Sequence, residues 1–241
     1  MKGRSWITIG KCIESGDDTV KAMRNRGSHP VVRVHCVEVP LSLPHRTIER
    51  WIAALPDPQR STLAQRLLRG RGLESLAVLA LLASFTSVCR LPSLASLQWT
   101  PAGKPCFPDG PEFSLTHSRG FAACAVAPRG LRVGIDIEPA DRARAASVAL
   151  VARDAERKAI DEGALSPTEL WTAKEAVLKA AGAGLSDICG VAVRNHVARY
   201  AGVHYGWRHF RPRYGLLLAV ATQGRMPDVR IRWPSPAFVF G

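Results

Sequence analysis

A chain of 241 residues, 46% of them hydrophobic, holds enough apolar material for one large core or two compact ones, which excludes an intrinsically disordered chain. No uninterrupted apolar run reaches the roughly 18 residues that a membrane-spanning helix needs; the longest, LESLAVLALLASF, contains Glu74 and reads as a buried helix. The formal net charge of +13 predicts a surface that attracts anions, whether nucleic acid, phosphorylated cofactors or acidic proteins, without choosing among them.

In chain order, residues 1–30 are polar and Gly-containing and read as an irregular leader; acids interrupt its basic start too early for a signal peptide. VVRVHCVEVPL (31–41) alternates like a strand. HRTIERWIAAL (45–55) has helical spacing at Ile48, Trp51, Ile52 and Leu55, and a second short helix is expected within 56–68, starting near Pro58. Residues 71–90 read as one long buried helix stopped by Leu91-Pro92. Gly and Pro then punctuate four expected strands near 96–100, 112–116, 121–127 and 131–138. The last three are expected to form an antiparallel meander with tight turns at 118–120 and 128–130. Helices follow at 145–162 and 167–182. The second has Ser166 as its cap, Pro167 in its first turn, and Gly182 and Gly184 at its end. Residues 190–240 are again strand-like.

This order gives an α+β fold with helices packed on antiparallel sheets, divided into lobes at 31–125 and 126–241. The six cysteines (12, 36, 89, 106, 124 and 189) form no CxxC pair and no zinc-spaced cluster with histidine. Free thiols suit a reducing, cytoplasmic setting.

The chemistry centres on LRVGIDIEP. In a strand, Gly134, Asp136 and Glu138 share one face and Val133, Ile135 and Ile137 the other. Two acids on one face repel, and burying them requires positive charge between them. All-oxygen ligation suits magnesium, or manganese, rather than zinc. In the helix WTAKEAVLKAAGAGL, Leu170, Ala173, Val177 and Ala180 make an apolar stripe, and Trp171, Glu175 and Lys179 follow at i, i+4 beside it. Alone, Glu175 and Lys179 would be an ordinary surface ion pair worth a few tenths of a kcal/mol, roughly. With the strand acids, a cation held by Asp136 and Glu138 would recruit Glu175 and leave Lys179 facing an anion that shares the metal, a recurring design for phosphoryl transfer. Upstream, FSLTHS puts Thr116 and His117 at a strand end, where the histidine could reach a phosphate oxygen or serve as a core or turn residue. GKP places Lys104 in a Gly/Pro loop, by default a solvated position.

Together, GKPCFPDG, FSLTHSRG, VGIDIEP and WTAKEAVLKAAGAGL resemble the 4′-phosphopantetheinyl transferases of the larger, monomeric Sfp-like class. The resemblance covers about residues 100–190 well and the rest in layout only. It implies a pseudo-dimer of two similar α/β lobes with coenzyme A between them. It implies transfer of the phosphopantetheine arm of coenzyme A to a serine of an apo acyl or peptidyl carrier protein, with release of adenosine 3′,5′-bisphosphate. Asp136, Glu138 and Glu175 would bind magnesium. Lys179 and His117 would hold coenzyme A phosphates, while Lys104, Pro105 and Thr116 would lie at the adenine nucleotide. Glu175, directly or through a metal-bound water, would take the serine proton. Lys174 would face elsewhere on the helix.

The family's N-terminal lobe binds the 3′-phosphate with basic residues. This chain has Glu74 where an arginine often begins the long helix, with Arg69 or Arg71 as substitutes. An acidic carrier would suit the basic balance, docking against Arg142, Arg144, Arg153 and Arg157, which otherwise read as a solvated face.

Two other readings use the same residues. A nucleic-acid-binding protein would explain the charge, but no RRM, KH, zinc-finger or helix-turn-helix signature is present and three convergent acids would repel phosphate. A magnesium-dependent phosphohydrolase would use the same acids with water as nucleophile. WTAKEAVLK favours transfer.

Overall fold

The computed structural model describes residues 30–70, 72–141, 148–213 and 215–241. The first strand, β1 (Val31–Glu38), is followed by α1 (His45–Ala53), α2 (Asp57–Leu68), α3 (Leu73–Ala83) and the short α4 (Thr86–Cys89). The break between α3 and α4 falls inside the stretch read as one helix. There the Ser84 hydroxyl donates to the Leu81 carbonyl and bonds His35 Nδ1 at 2.9 Å, and Phe85 stacks on the His35 ring at 3.9 Å. A side chain that bonds its own preceding turn bends a helix, and the stacking draws Phe85 into the core.

After β2 (Gln98–Trp99) and β3 (Pro105–Cys106), which pair only with each other, come β4 (Glu112–Ser118), β5 (Phe121–Ala127) and β6 (Val133–Pro139). Then follow α5 (Asp154–Asp161), α6 (Pro167–Ala181), β7 (Ala192–Arg194), β8 (Val197–Tyr200), β9 (Val203–Phe210), β10 (Leu216–Gln223), β11 (Asp228–Arg232) and α7 (Pro236–Phe240). One sheet runs β11-β1-β5-β4 and the other β6-β10-β9-β8-β7. The fold is mixed, with helices on largely antiparallel sheets.

Four layers result. Leu76, Leu81, Leu82 and Phe85 of the α3 region pack on the outer face of the first sheet with Phe113 and Val37. Val32, Val34, Cys36, Ala123 and Ala125 meet Val133, Ile135, Ile137, Leu216, Leu218 and Val220 between the two sheets. Helix α6 covers the far face of the second sheet through Leu170, Ala173, Ala176, Val177 and Ala180. The alternation expected of β6 is therefore observed, with its branched residues turned to the inter-sheet core.

Two expectations change. The meander does not close: β4 and β5 pair, but β6 crosses to the second sheet and pairs antiparallel with β10, from Leu216↔Pro139 to Thr222↔Val133. The sequence division at residue 125 also differs from the spatial one. β11 returns to pair parallel with β1, and Val239 and Phe240 join the core of the first sheet. The edge of β1 would otherwise expose unpaired backbone groups, and the late strand supplies them with partners. Among the described residues, no helix is long and apolar enough to cross a membrane.

Gly134 sets the distance between β6 and α6. A Cβ there would overlap the Ala176 carbonyl and the Ala180 amide, and Ala219 and Ala221 beside it on β10 are equally small for the same helix. Gly134→Ala should force the helix outward and cost about 2–4 kcal/mol, read as a lowered denaturant midpoint.

Burial first, then the charge of Arg232, lowers the His35 pKa to about 4; burial likewise lowers His209 to about 4, with Glu169 partly opposing. Both rings are thus neutral in the fold but protonate near 6.5 when unfolded, so the unfolded chain takes up more protons below that value. Stability should fall as pH drops from about 6.5 towards 4, by up to roughly 3 kcal/mol per ring. Thermal melts across this range should show the decline, and His209→Gln should flatten it.

Candidate active site at the seam between the sheets

The edge strands of the two sheets, β4 and β6, meet side by side, and alternate residues of β4 join them through hydroxyl groups. Ser114 Oγ accepts from the Ile135 amide at 3.1 Å, and Thr116 Oγ1 accepts from the Ile137 amide at 3.4 Å. Thr116 also donates to Asp136 Oδ1 at 2.9 Å, and Ser118 donates to Glu138 Oε2 at 2.5 Å. Of these side chains on one face of β4, Ser114 and Thr116 thereby serve edge amides of β6, and Thr116 and Ser118 orient its acids.

Helix α6 brings the third group of residues. Its start is locally encoded: Ser166 accepts from the Glu169 amide at 3.2 Å, and Glu169 accepts from the Ser166 amide at 2.8 Å. Its end is set by Gly182, whose φ of +73° is left-handed. Most of the helix between them is buried, leaving Trp171, Glu175 and Lys179 as its half-buried stripe. Lys179 Nζ lies 2.7 Å from Asp136 Oδ1, 3.5 Å from Glu175 Oε2 and 3.4 Å from Thr116 Oγ1.

Asp136 is 3% exposed, and its second oxygen, Oδ2, is buried without a partner. Burial first and the Asp136 charge second raise the pKa of Glu175, with Lys179 and a hydrogen bond from Trp171 offsetting part of the rise. Burial pulls the Lys179 pKa down, but Asp136 and Glu175 outweigh it and hold the ammonium above its ordinary value.

The acids expected to converge thus do so only in part. Asp136 and Glu175 come together around Lys179, and Glu138 accepts from the Ser118 hydroxyl. Among the described residues, no three His, Cys, Asp or Glu side chains form a group able to hold a metal ion. The ammonium already supplies the positive charge that two facing carboxylates demand.

Lys104 and Pro105 stand across a cleft from Lys179. A cavity of about 230 Å³ is lined by both together with Ser114, Leu115, Lys179 and Gly182. An adjoining one of about 370 Å³ shares Lys104 and Gly182 and adds Thr100, Glu112 and Arg132. Lys104 Nζ lies 3.6 Å from Glu112 and 3.5 Å from the Val133 carbonyl. Burial lowers its pKa, and Glu112 partly restores it.

Thr116, expected at an adenine nucleotide, spends its hydroxyl on Asp136 and the Ile137 amide. His117, on the opposite face of β4, has Nδ1 2.9 Å from Glu74 Oε2, and the other Glu74 oxygen accepts from the Gly120 amide at 2.6 Å. Glu74 therefore clasps the β4–β5 turn, a role its place at the start of α3 did not announce. Arg71 lies outside the described residues, as do Arg142 and Arg144. Arg153 donates to the carbonyls of Cys189 and Gly190, and Arg157 to that of Ala149 and to Asp154, so both tie down local chain.

The hydroxyl ladder was not anticipated, although Ser114, Thr116 and Ser118 at i, i+2, i+4 in FSLTHS are its signal. Nor was the buried pair of Lys174 and Glu156, 0% and 2% exposed at 2.8 Å. Lys174 also donates to the carbonyls of Val151 and Val191, while Glu156 accepts from the amides of Arg153 and Val193. Every charge there is paired, so Lys174 locks α6 to its neighbours. Lys174→Ala should leave Glu156 buried and uncompensated and cost about 3–5 kcal/mol in chemical denaturation.

Residues 132–213 match the family model of the 4′-phosphopantetheinyl transferase superfamily. That segment carries β6 and α6, and with them Asp136, Glu175 and Lys179. Over that segment the chain is similar to this superfamily. No curated protein matches the chain.

Proposed function

We propose that the protein transfers the 4′-phosphopantetheine arm of coenzyme A to a serine of an apo acyl or peptidyl carrier protein, releasing adenosine 3′,5′-bisphosphate. The observation that carries this reading is the cluster of Asp136, Glu175 and Lys179 at the sheet seam, beside a cleft that Lys179 lines together with Lys104, and lying within the matched segment.

The donor set fits a hard divalent cation. Asp136 Oδ2 is a buried carboxylate oxygen with no donor, and oxygen ligands of this kind suit magnesium or manganese. Asp136 and Glu175 would hold the ion, with Glu138 at the end of the same strand face. When bound, it would neutralise the diphosphate charge that builds as the bridging P–O bond breaks.

The remaining chemistry is that of the chain's own groups. Lys179 and Lys104 present two ammonium groups to the cleft, suited to the phosphate oxygens of coenzyme A. Thr116 and Ser118 aim the strand carboxylates. Glu175, its pKa raised by burial and by Asp136, would take the serine proton, directly or through a bound water. The serine oxygen then bonds to phosphorus, and the bisphosphate leaves with the electron pair of the broken P–O bond. His117 stands further along β4, held by Glu74, and would bind phosphate through its remaining ring nitrogen. The net charge of +13 favours an acidic carrier partner, engaged by a monomer.

The test is an incubation with magnesium, coenzyme A and apo carrier protein, read by intact mass. The carrier should gain one phosphopantetheine, and Asp136→Asn and Glu175→Gln should each slow the gain by at least about a hundredfold. No gain on any carrier would reject the reading, and release of the bisphosphate without carrier modification would point to hydrolysis instead.

A further inference from the structure

Asp136 and Glu175 face each other with a single ammonium between them. Lys179 Nζ bonds Asp136 Oδ1 at 2.7 Å and lies 3.5 Å from Glu175 Oε2, while Asp136 Oδ2 remains buried and without a donor. A divalent cation placed on these two carboxylates would lie within a few ångströms of that ammonium. At such separations the two like charges repel strongly, so the ammonium and the cation compete for the same oxygens.

The lysine has somewhere else to go. Its side chain is 31% exposed and also lines the cleft that holds Lys104, where an entering anion would offer it phosphate oxygens. Lys104 does not replace it at the carboxylates, being engaged with Glu112 and the Val133 carbonyl.

We infer that Lys179 is a tethered counter-ion that occupies the divalent-cation site until a diphosphate enters the cleft, so that cation and diphosphate bind as a coupled pair through this one side chain. Before loading, the lysine neutralises the carboxylates and keeps the seam from opening under their repulsion. On loading, Nζ leaves Asp136 and Glu175 for the diphosphate, and the divalent ion takes the vacated oxygens. Each ligand removes the obstacle to the other, which is a coupling free energy between two sites. The inference rests on the proposed function for the identity of the anion, not for the competition itself.

The experiment measures Mn²⁺ binding to the whole protein by the electron paramagnetic resonance of the free ion, with and without saturating coenzyme A. In the parent, Mn²⁺ alone should bind weakly and coenzyme A should tighten it about tenfold or more. In Lys179→Met, Mn²⁺ alone should bind about tenfold tighter than in the parent, because the competing cation is gone, and the tightening by coenzyme A should shrink to what the diphosphate's own attraction for the ion supplies. Lys179→Gln should behave alike and guards against a folding defect in the first variant. Thermal melts add a second readout: without metal both variants should melt below the parent, and Mn²⁺ should raise them by more than it raises the parent.

Equal or weaker Mn²⁺ binding in both variants would overturn the inference, as would tightening by coenzyme A as large in the variants as in the parent. Absence of Mn²⁺ binding in parent and variants alike would overturn it too. If instead the Mn²⁺ pattern holds while no carrier protein is modified, the proposed reaction fails and the competition stands.

Discussion

Two carboxylates brought face to face inside a protein must be neutralised, and this molecule is arranged around how it does so. Asp136 arrives on an edge strand of one sheet, Glu175 on the helix that covers that sheet, and the ammonium of Lys179 lies between them. Repulsion between the acids would otherwise push α6 away from β6. The helix stays close because Gly134 lets its backbone approach and because the ammonium between the acids offsets part of their repulsion. Packing and electrostatics therefore act on the same contact.

The seam between β4 and β6 extends the same solution sideways. Two sheet edges meeting without backbone pairing would leave amides unsatisfied, and Ser114 and Thr116 serve them with hydroxyls, while Thr116 and Ser118 donate to the acids. A residue such as Thr116 thus has a structural and a site role that cannot be separated. It accepts from Ile137 and donates to Asp136, and removing its oxygen would disturb both. The buried pair of Lys174 and Glu156 plays a comparable part on the other side of α6, one residue from Glu175 in sequence but turned into the protein. Adjacent lysine and glutamate residues in KEAVLK consequently have different fates, decided by which helix face each occupies.

Much of this was legible beforehand because its causes are local. The two-residue alternation of VGIDIEP placed Asp136 and Glu138 on one face, and the i, i+4 spacing of Trp171, Glu175 and Lys179 placed them on one stripe. Ser166, Pro167 and Gly182 marked the ends of α6 through capping chemistry that needs no distant partner. What could not be read were pairings between segments far apart in the chain. β6 deserts β5 for β10, β11 returns to β1, and Glu74 reaches across to His117 and Gly120. The long helix expected over residues 71–90 breaks because His35, on a strand far upstream, holds Ser84 and Phe85.

The sequence by itself determined which face of which element presents Asp136, Glu138, Glu175 and Lys179, since period and capping are properties of neighbouring residues. Only the tertiary structure decided what those residues meet. It set Lys179 between Asp136 and Glu175, turned Glu138 to Ser118, and gave Thr116 to a carboxylate. The reason is physical: a charge in a protein interior takes whichever partner the fold brings within hydrogen-bonding reach, and that partner is chosen by packing between elements, not by spacing within one.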